Sequence, residues 1–360
     1  MDSLSRRPLL ERRGWYVVLA ALLGVAVLVP LLNLVVPPGN LLHMPDYWVT
    51  LLGKIMCYAI CALAMDLVWG YAGILSLGHG LYFALGGYAM GMYLMRQIGR
   101  DGVYGGALPD FMVFLDWKAL PWQWALSDSF ATQMALAILV PGTIAFVLGY
   151  FAFRSRIKGV YFSIITQAVT YAAMLLFFRN ETGFGGNNGF TDFKRLLGLP
   201  ITPELRLGLF VVSGVALLGC FLLARWLVGS KYGRVLQAIR DAEGRVMFSG
   251  YDPLRYKLAV WTLSAMMCGL AGALYVPQVG IINPGEMSPA SSIEIAVWTA
   301  VGGRATLVGP IAGAFFVNLA KSWFTETIPE FWLYFLGALF IAVTLFLPRG
   351  LAGLVRGGRR

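Results

Sequence analysis

Long apolar runs constrain the fold of this sequence more than any other feature. Residues 131–153 contain no charged side chain, and residues 207–228 contain only one, Arg225. A transmembrane helix needs about 20 mainly apolar residues to cross a hydrocarbon core of about 30 Å. The whole chain is 58% hydrophobic and 13% charged, with a mean hydropathy of +0.71. These runs predict an all-α, polytopic membrane protein, because a helix satisfies its own backbone polar groups in lipid.

The apolar runs divide the chain into about ten predicted membrane segments within one domain, residues 1–360. One of them, 292–302, is too short to cross a bilayer alone. It is predicted to be a half-helix or one arm of a broken helix buried in protein, since lipid does not tolerate unpaired backbone. The ten segments are 15–36, 47–69, 81–98, 131–153, 160–178, 207–228, 258–282, 292–302, 306–324 and 332–348.

The distribution of charge predicts that both termini lie in the cytoplasm. The net charge is +10, and 18 of the 28 Lys and Arg residues fall in segments that this topology places inside. Basic residues collect in cytoplasmic loops, so the charge indicates topology and not a nucleic-acid partner. Residues 1–14 are expected to be a cytoplasmic anchor, 230–257 a cytoplasmic loop and the Trp-rich stretch 99–130 a periplasmic loop.

Few residues are available for catalysis or metal binding. The chain has two histidines and four cysteines, and all four cysteines lie in apolar runs. It has no phosphate-binding loop of the type G-x-x-x-x-G-K-[ST], so ATP would have to be handled by another protein. We therefore expect no cofactor, no metal and no enzyme activity, although Asp66 and His79 leave an intramembrane acid and base as a weaker alternative.

A glycine-rich interruption at residues 66–80 follows the second apolar run. An acid and a histidine inside an apolar region are costly in lipid and mark functional positions. Irregular backbone survives at membrane depth only where it is buried in protein or lines a cavity. The stretch predicts a discontinuous or re-entrant segment at residues 71–80 beside a translocation pathway. The candidate pathway residues in and before it are Asp66, Tyr71, Ser76 and His79. The alternative is a structural elbow in which Asp66 caps backbone N–H groups and His79 is hydrogen-bonded in place.

The cytoplasmic loop 230–257 contains a predicted amphipathic helix. Val235, Ile239, Ala242 and Val246 follow helical spacing and would form one apolar stripe, with charges on the opposite face. A helix of this type can dock into a groove on a cytoplasmic partner. A passive channel would have no use for such a helix.

Three motifs resemble those of the branched-chain amino-acid ABC transporter permeases. Residues 70–79 resemble the family's Gly-Tyr-x-Gly-x-Leu-Ser-Leu-Gly-His element, and residues 302–310 its Gly-Gly-x-Gly-Thr-Leu-x-Gly-Pro element, with Ala305 where glycine is usual. The cytoplasmic loop resembles the family's coupling segment. The resemblance extends from about residue 47 to 348 and implies ATPase coupling by Gly233, Arg234, Ala238, Ile239, Arg240, Asp241, Glu243 and Gly250.

Residues 83–95, 108–112 and 182–191 resemble the urea branch of that family. The resemblance implies an importer for urea, with branched-chain amino acids or short amides as the alternative. Urea needs acceptors for its N–H groups and a donor for its carbonyl, and Asn187, Asn188, Asp66 and Glu294 are candidates. An Asn-Asn-Gly run can equally be only a turn.

The resemblance also implies partners and a location. The expected partners are a second homologous permease in a heterodimer, two cytoplasmic ATP-binding subunits, a periplasmic substrate-binding protein and membrane lipid. The expected location is the bacterial inner membrane, with N-in and C-in topology. Two Gly-x-x-x-Gly pairs, Gly87 with Gly91 and Gly309 with Gly313, predict close helix packing inside the subunit or at the heterodimer interface. The intramembrane charges of Lys54 and Arg225 are expected to snorkel or to lie near helix ends.

Overall fold

The chain folds almost entirely into helices, which confirms the predicted all-α class. A computed structural model describes residues 24–356 except 26, 38, 39, 41, 107 and 347–349. The anchor at residues 1–14, and residues 15–23 and 26 of the first predicted segment, lie outside the described residues. In chain order the helices are α1 (described over residues 27–34), α2 (Asp46–Asp66), α3 (His79–Ile98), α4 (Asp110–Phe114), α5 (Phe130–Arg154), α6 (Val160–Phe177), α7 (Pro203–Gly229), α8 (Lys231–Phe248), α9 (Pro253–Val279), α10 (Pro289–Gly302), α11 (Val308–Thr327), α12 (Trp332–Phe346) and α13 (Gly350–Arg356).

Five of the described helices are long and apolar enough to cross a membrane. They are α2 with its π-helical extension to Tyr71, α5, α6, α7 and α9. Helices α3 and α11 have 20 residues each but do not belong to this set. The sequence of α3 contains four glycines and three tyrosines, which lower its hydropathy, and 17 of its residues are buried in the protein. A helix surrounded by other helices does not need a lipid-facing apolar surface.

Helices α2, α3 and α9 form the centre of the bundle. Helix α3 packs along α9 and α5, and α2 packs along α7, α9 and α11. The apolar part of α2 is 83% buried, whereas that of α6 is 28% buried. Helix α2 is therefore an internal element, and α6 presents most of its surface outward.

The short segment predicted at 292–302 is helix α10. It has 14 residues and extends only about 21 Å at 1.5 Å per residue, less than a full bilayer. Ser288 caps its first turn, because the Ser288 hydroxyl accepts the backbone N–H of Ser291 at 3.2 Å. The helix packs between α11 and α2, so its short length is compensated by protein contacts.

Two small antiparallel pairs of strands connect the helices. Strand β1 (Phe190–Thr191) pairs with β4 (Ile281–Ile282), with Phe190 opposite Ile282. Strand β2 (Arg195–Leu196) pairs with β3 (Leu199–Pro200). The β1–β4 pair ties the loop after α6 to the turn that follows α9, and this turn leads directly to α10.

The predicted outer loop at 99–130 contains α4 and two 3-10 turns. Trp124 is buried and its indole N–H donates to the Gly183 carbonyl at 3.0 Å. Trp122 is 88% exposed. The loop thus packs against the α6–β1 connection through one of its tryptophans and exposes another.

Candidate functional site

Asp66 lies at the end of α2 and holds a distant loop through its carboxylate. One carboxylate oxygen accepts the Ala305 N–H at 2.6 Å and the other accepts the Leu307 N–H at 3.1 Å. Ala305 and Leu307 have φ of +58° and +59°, a backbone region that is unfavourable for residues with a side chain. The carboxylate thus stabilises a strained loop between α10 and α11. This geometry matches the capping role that the elbow interpretation assigns to Asp66.

His79 begins α3 and is completely buried. The Ser264 hydroxyl donates to the Ala64 carbonyl at 2.8 Å, so His79 Nε2, 2.7 Å from that hydroxyl, is the donor to it. This chain joins α3, α9 and α2 at one point. His79 Nδ1 has no hydrogen-bond partner among the described residues.

The backbone between α2 and α3 is irregular, as the sequence predicts. Tyr71 and Ser76 are buried in this stretch, and the Ser76 hydroxyl accepts the Gly78 N–H at 3.1 Å. Helix α6 supports the same stretch, because the Ser163 hydroxyl donates to the Leu75 carbonyl at 2.8 Å. The irregular segment is therefore enclosed by protein.

Helix α8 occupies the predicted coupling segment but is not one continuous amphipathic helix. The backbone of Ala242 is non-helical (φ −157°, ψ 71°), so the helix has two arms. Its buried apolar residues are Leu236, Ile239 and Val246, whereas Val235 is only partly buried. The predicted stripe is confirmed at Ile239 and Val246 but is wrong in part, because Leu236 and not Val235 is the fully buried residue of the first turns. The apolar side packs on this chain's own α7 and α9 and is not free for a partner.

Arg240 connects α8 to the glycine-rich segment. Its guanidinium donates to the Gly70 carbonyl at 2.6 Å and to the Asp241 carboxylate at 2.9 Å. Gly73 has φ +73°, and a Cβ added there would lie 2.7 Å from Arg240 Cγ. Glycine is thus required where the Arg240 side chain crosses the segment. This contact joins α8 to the π-helical extension of α2.

Glu243 attaches the second arm of α8 to two other parts of the bundle. Its carboxylate lies 2.7 Å from Lys158 Nζ, between α5 and α6, and 2.6 Å from Lys257 Nζ, in the first turn of α9. Burial alone would raise the pKa of Glu243, but the hydrogen bonds and charges of the two lysines outweigh it. The pKa therefore lies below its ordinary value.

The remaining predicted coupling residues differ in their exposure. Gly233 is buried at its start, where a Cβ would lie 2.6 Å from the backbone carbonyl carbon of Val228. Phe248, at the end of the helix, is 95% exposed. Gly250 continues the chain with φ +83°. The exposed predicted residues are Arg234, Ala238, Asp241 and Gly250.

Glu294 lines a cavity of about 170 Å³ between α2, α10, α11 and the turn Pro284–Met287. Its carboxylate accepts from Lys321 Nζ at 2.8 and 2.9 Å. The cavity walls contain two basic groups, two acidic groups and two aromatic rings. These residues are Lys54, Glu286, Glu294 and Lys321, with Tyr58 and Trp298.

Glu286 belongs to the turn before α10 and contacts a chain of tyrosines. Tyr58 donates to the Tyr275 hydroxyl at 3.4 Å, and Tyr275 donates to Glu286 Oε1 at 3.2 Å. The Lys54 ammonium lies 5.6 Å from the centre of the Tyr58 ring. Lys54 therefore faces the interior cavity, contrary to the expectation that it snorkels or lies near a helix end.

Asn187 and Asn188 form a 3-10 turn and are exposed. The turn is held by glycines with positive φ: a Cβ on Gly189 would lie 2.6 Å from Asn283 Cα. The same turn leads into β1, whose partner β4 precedes the turn that carries Glu286. The paired asparagines do not line the described cavity, but their loop is connected to it through the strand pair.

Both Gly-x-x-x-Gly pairs pack inside the subunit. Cβ atoms on Gly87 and Gly91 would each lie 3.0 Å from the Ile282 side chain. Cβ atoms on Gly309 and Gly313 would lie 2.7 Å from the backbone of α10, at Gly303 O and Gly302 N respectively. These glycines place β4 against α3, and α11 against α10.

Sequence reasoning missed Lys54, Glu286 and Lys321 as a group. Glu286 lies in a connection between helices, and Lys321 follows Glu294 by 27 residues, so no local spacing links them. The available signals were Lys54 and Lys321, each within an apolar run. Intramembrane charges usually pair with each other or face a cavity, and that rule would have prompted a search for acidic partners.

The chain is similar in sequence to known permease proteins. The family model described as "Branched-chain amino acid transport system / permease component" matches residues 47–344. The high-affinity branched-chain amino acid transport system permease proteins LivM of Salmonella typhimurium and Escherichia coli are each 24% identical over 324 residues, covering 84% of this chain and 69% of theirs. The ribose import permease protein RbsC of Escherichia coli is 21% identical over 196 residues, covering 52% of this chain and 59% of its own. No solved structure matches the chain.

Proposed function

The chain belongs to the branched-chain amino acid transport permease family, and from this premise we propose that it is the membrane-spanning subunit of an ATP-driven importer for urea. A second homologous permease would complete a heterodimer with it. Two cytoplasmic ATP-binding subunits would supply energy, and a periplasmic binding protein would deliver the solute. The chain itself would bind no nucleotide and would lie in the bacterial inner membrane with both termini in the cytoplasm.

The contacts of α8 are the observation that carries this proposal. The helix buries its apolar residues against its own bundle, and Arg240 reaches the Gly70 carbonyl beside the end of α2. Its outward side remains charged and ends in the exposed Phe248. An exposed aromatic side chain beside a charged surface is the kind of anchor that protein interfaces use. A motor protein that binds this side could thus move α2 and the glycine-rich segment.

Urea is supported by the resemblance of residues 83–95, 108–112 and 182–191 to the urea branch. Branched-chain amino acids remain the second candidate, because the LivM relatives are described as transporters of those solutes. Uptake of labelled urea and of labelled leucine into vesicles that contain the complete transporter distinguishes the two. Uptake of leucine alone would reject urea and leave the importer proposal intact.

Coupling is tested with Arg240→Ala combined with Asp241→Ala in the reconstituted transporter. We expect the protein to insert normally while ATP-dependent uptake is lost, since the contact with Gly70 is removed. The matched control is Arg179→Ala with Glu181→Ala, another exposed ion pair of neighbouring residues, at 3.2 Å. Unchanged uptake in the Arg240 variant would contradict the proposed role of α8.

A further inference from the structure

We infer that the cavity between α2, α10, α11 and the turn Pro284–Met287 is the solute-recognition site of the proposed transporter. Its ligand is a small solute without net charge that carries both N–H donors and an acceptor oxygen. The inference depends on the proposed transport function, but no motif resemblance points to this cavity. It is based on the charges, the unpaired donor and the adjoining surface recess that the described residues show.

The charges of the cavity define the ligand's charge. Two lysines and two glutamates line it, so their formal charges cancel. Glu294 and Lys321 already pair with each other, whereas Lys54 has no ion pair within 4.0 Å among the described residues. Glu286 accepts a hydrogen bond from Tyr275 and has capacity for more. An anion or a cation would satisfy only one of Lys54 and Glu286, and a solute with donors and acceptors satisfies both.

Trp298 adds a requirement for an acceptor. It lines the cavity, is 2% exposed, and its indole N–H has no hydrogen-bond partner among the described residues. Buried donors are nearly always paired, with protein or with a bound molecule. A carbonyl or carboxylate oxygen would supply the missing acceptor. The Tyr58 ring, with its centre 4.8 Å from that of Trp298, forms an adjoining flat wall.

A second recess, open to the surface, adjoins this cavity. It has a volume of about 580 Å³ and shares Lys54 and Lys321 with the first cavity. Its other walls include Tyr47 at the start of α2 and Glu326 near the end of α11, both exposed. The two lysines thus lie at the boundary between the recess and the inner cavity. In the predicted topology the start of α2 is periplasmic, so a solute released outside would meet this recess first.

Two solutes share the required chemistry, an amide such as urea and a zwitterionic amino acid such as leucine. In urea the carbonyl would face Lys54 or Trp298 and the N–H groups would face Glu286. In leucine the carboxylate and the ammonium group would take these positions. Guanidinium has nearly the shape of urea but carries a positive charge and has no acceptor. A site that binds urea but not guanidinium therefore recognises the charge and the acceptor oxygen of the solute, and not only its size.

The test uses Ser291→Cys in the complete transporter reconstituted in vesicles. Ser291 lines the cavity, and so does the native Cys61; both test variants therefore also carry Cys61→Ala, so that a water-soluble thiol reagent reports on the new cysteine while the other three native cysteines are buried. We expect urea or leucine, whichever is transported, to slow labelling about tenfold at about nine times its Kd, because only the unoccupied site is labelled. Guanidinium should have no effect. Ser129→Cys, at an exposed position outside the cavity, should be labelled at the same rate with or without solute.

The outcomes separate this inference from the proposed function. Protection by leucine with uptake of leucine alone would support the site and reject urea as the solute. Unprotected labelling in a transporter that takes up urea or leucine would overturn the site. Protection by guanidinium would overturn the requirement for a neutral ligand. If the Ser291 variant does not assemble, Lys54→Met should raise the KM of uptake about tenfold, and Lys118→Met, at an exposed position, should not. An unchanged KM in Lys54→Met would equally overturn the site.

Discussion

Asp66 and Glu286 are both carboxylates enclosed by this bundle, yet their surroundings differ. Asp66 accepts backbone N–H groups from Ala305 and Leu307, so both of its oxygens are occupied by the protein itself. Glu286 accepts one hydrogen bond from Tyr275 and faces a cavity that also contains Lys54. The first environment stabilises one loop conformation. The second leaves hydrogen-bonding capacity for a ligand. An intramembrane charge therefore indicates function only when its partners are known.

The largest effect on stability should come from Asp66, whose two carboxylate oxygens are both paired within the protein. In Asp66→Asn an amide N–H₂ replaces an oxygen that accepts a backbone N–H, which leaves a buried donor unpaired beside a strained loop. We expect a loss of about 3 kcal/mol in stability, measured by thermal unfolding in lipid nanodiscs. The control is Asp110→Asn, since Asp110 also accepts two backbone N–H groups, at 2.8 and 3.3 Å, but in an exposed loop. Similar losses in both variants would erase the contrast between buried and exposed caps.

Glu286, which faces the cavity, should show the opposite pattern, with transport affected more than stability. Glu286→Gln removes the charge opposite Lys54 but keeps the shape of the side chain. We expect kcat/KM for uptake to fall about tenfold, while the unfolding temperature changes little. Initial uptake rates and thermal unfolding on the same preparation measure both quantities. Glu181→Gln, at a surface position that is 76% exposed, is the matched control. A large fall in unfolding temperature would show that Glu286 is structural, as Asp66 is.

A third, intermediate case is Glu243, which is paired and lies in the second arm of α8. Its pKa is lowered below the ordinary value of 4.5, so its ion pairs stabilise the fold at neutral pH. This contribution is complete above the unfolded pKa and is lost as the pH falls through the folded pKa, from about pH 5 downward. We expect Glu243→Gln to cost about 1 kcal/mol at pH 7.

The difference between wild type and Glu243→Gln should shrink as the pH is lowered into the acid range. Thermal unfolding across a pH series measures it. Arg255→Ala is a suitable control, because the Arg255 side chain, which pairs with Asp252, is 87% exposed. Its difference from wild type should be small at every pH. A constant difference for the Glu243 variant would show that the lysines do not hold the ionised carboxylate.

The smallest effect on stability is expected from Asn187→Ala combined with Asn188→Ala. Both side chains are exposed, so the free energy of unfolding should change by less than about 0.5 kcal/mol. If the loop takes part in recognition through β1 and β4, urea uptake per inserted protein should still fall. Normal uptake would show that the pair is only a turn, and the contrast with Glu286 would become sharper.

The sequence predicted several elements whose determinants are local. The 14-residue α10 follows from the shortness of its apolar run, and the irregular stretch between α2 and α3 follows from its glycines. A helix was predicted at the right place in residues 230–257, and Ile239 and Val246 are buried as predicted. Leu236 is also buried and Val235 only partly, because the packing of α8 on α7 and α9 selects the buried face.

The sequence by itself determined the class of this protein, its helical segments and its family motifs, because hydropathy over about 20 residues and glycine spacing are properties of short stretches. Only the tertiary structure decided which charges are satisfied. Asp66 meets its partners 239 and 241 residues further along the chain, and Lys54 shares a cavity with residues of four later elements. Whether a buried charge is fully paired by the protein or faces a cavity depends on contacts between distant segments, and packing alone creates those contacts.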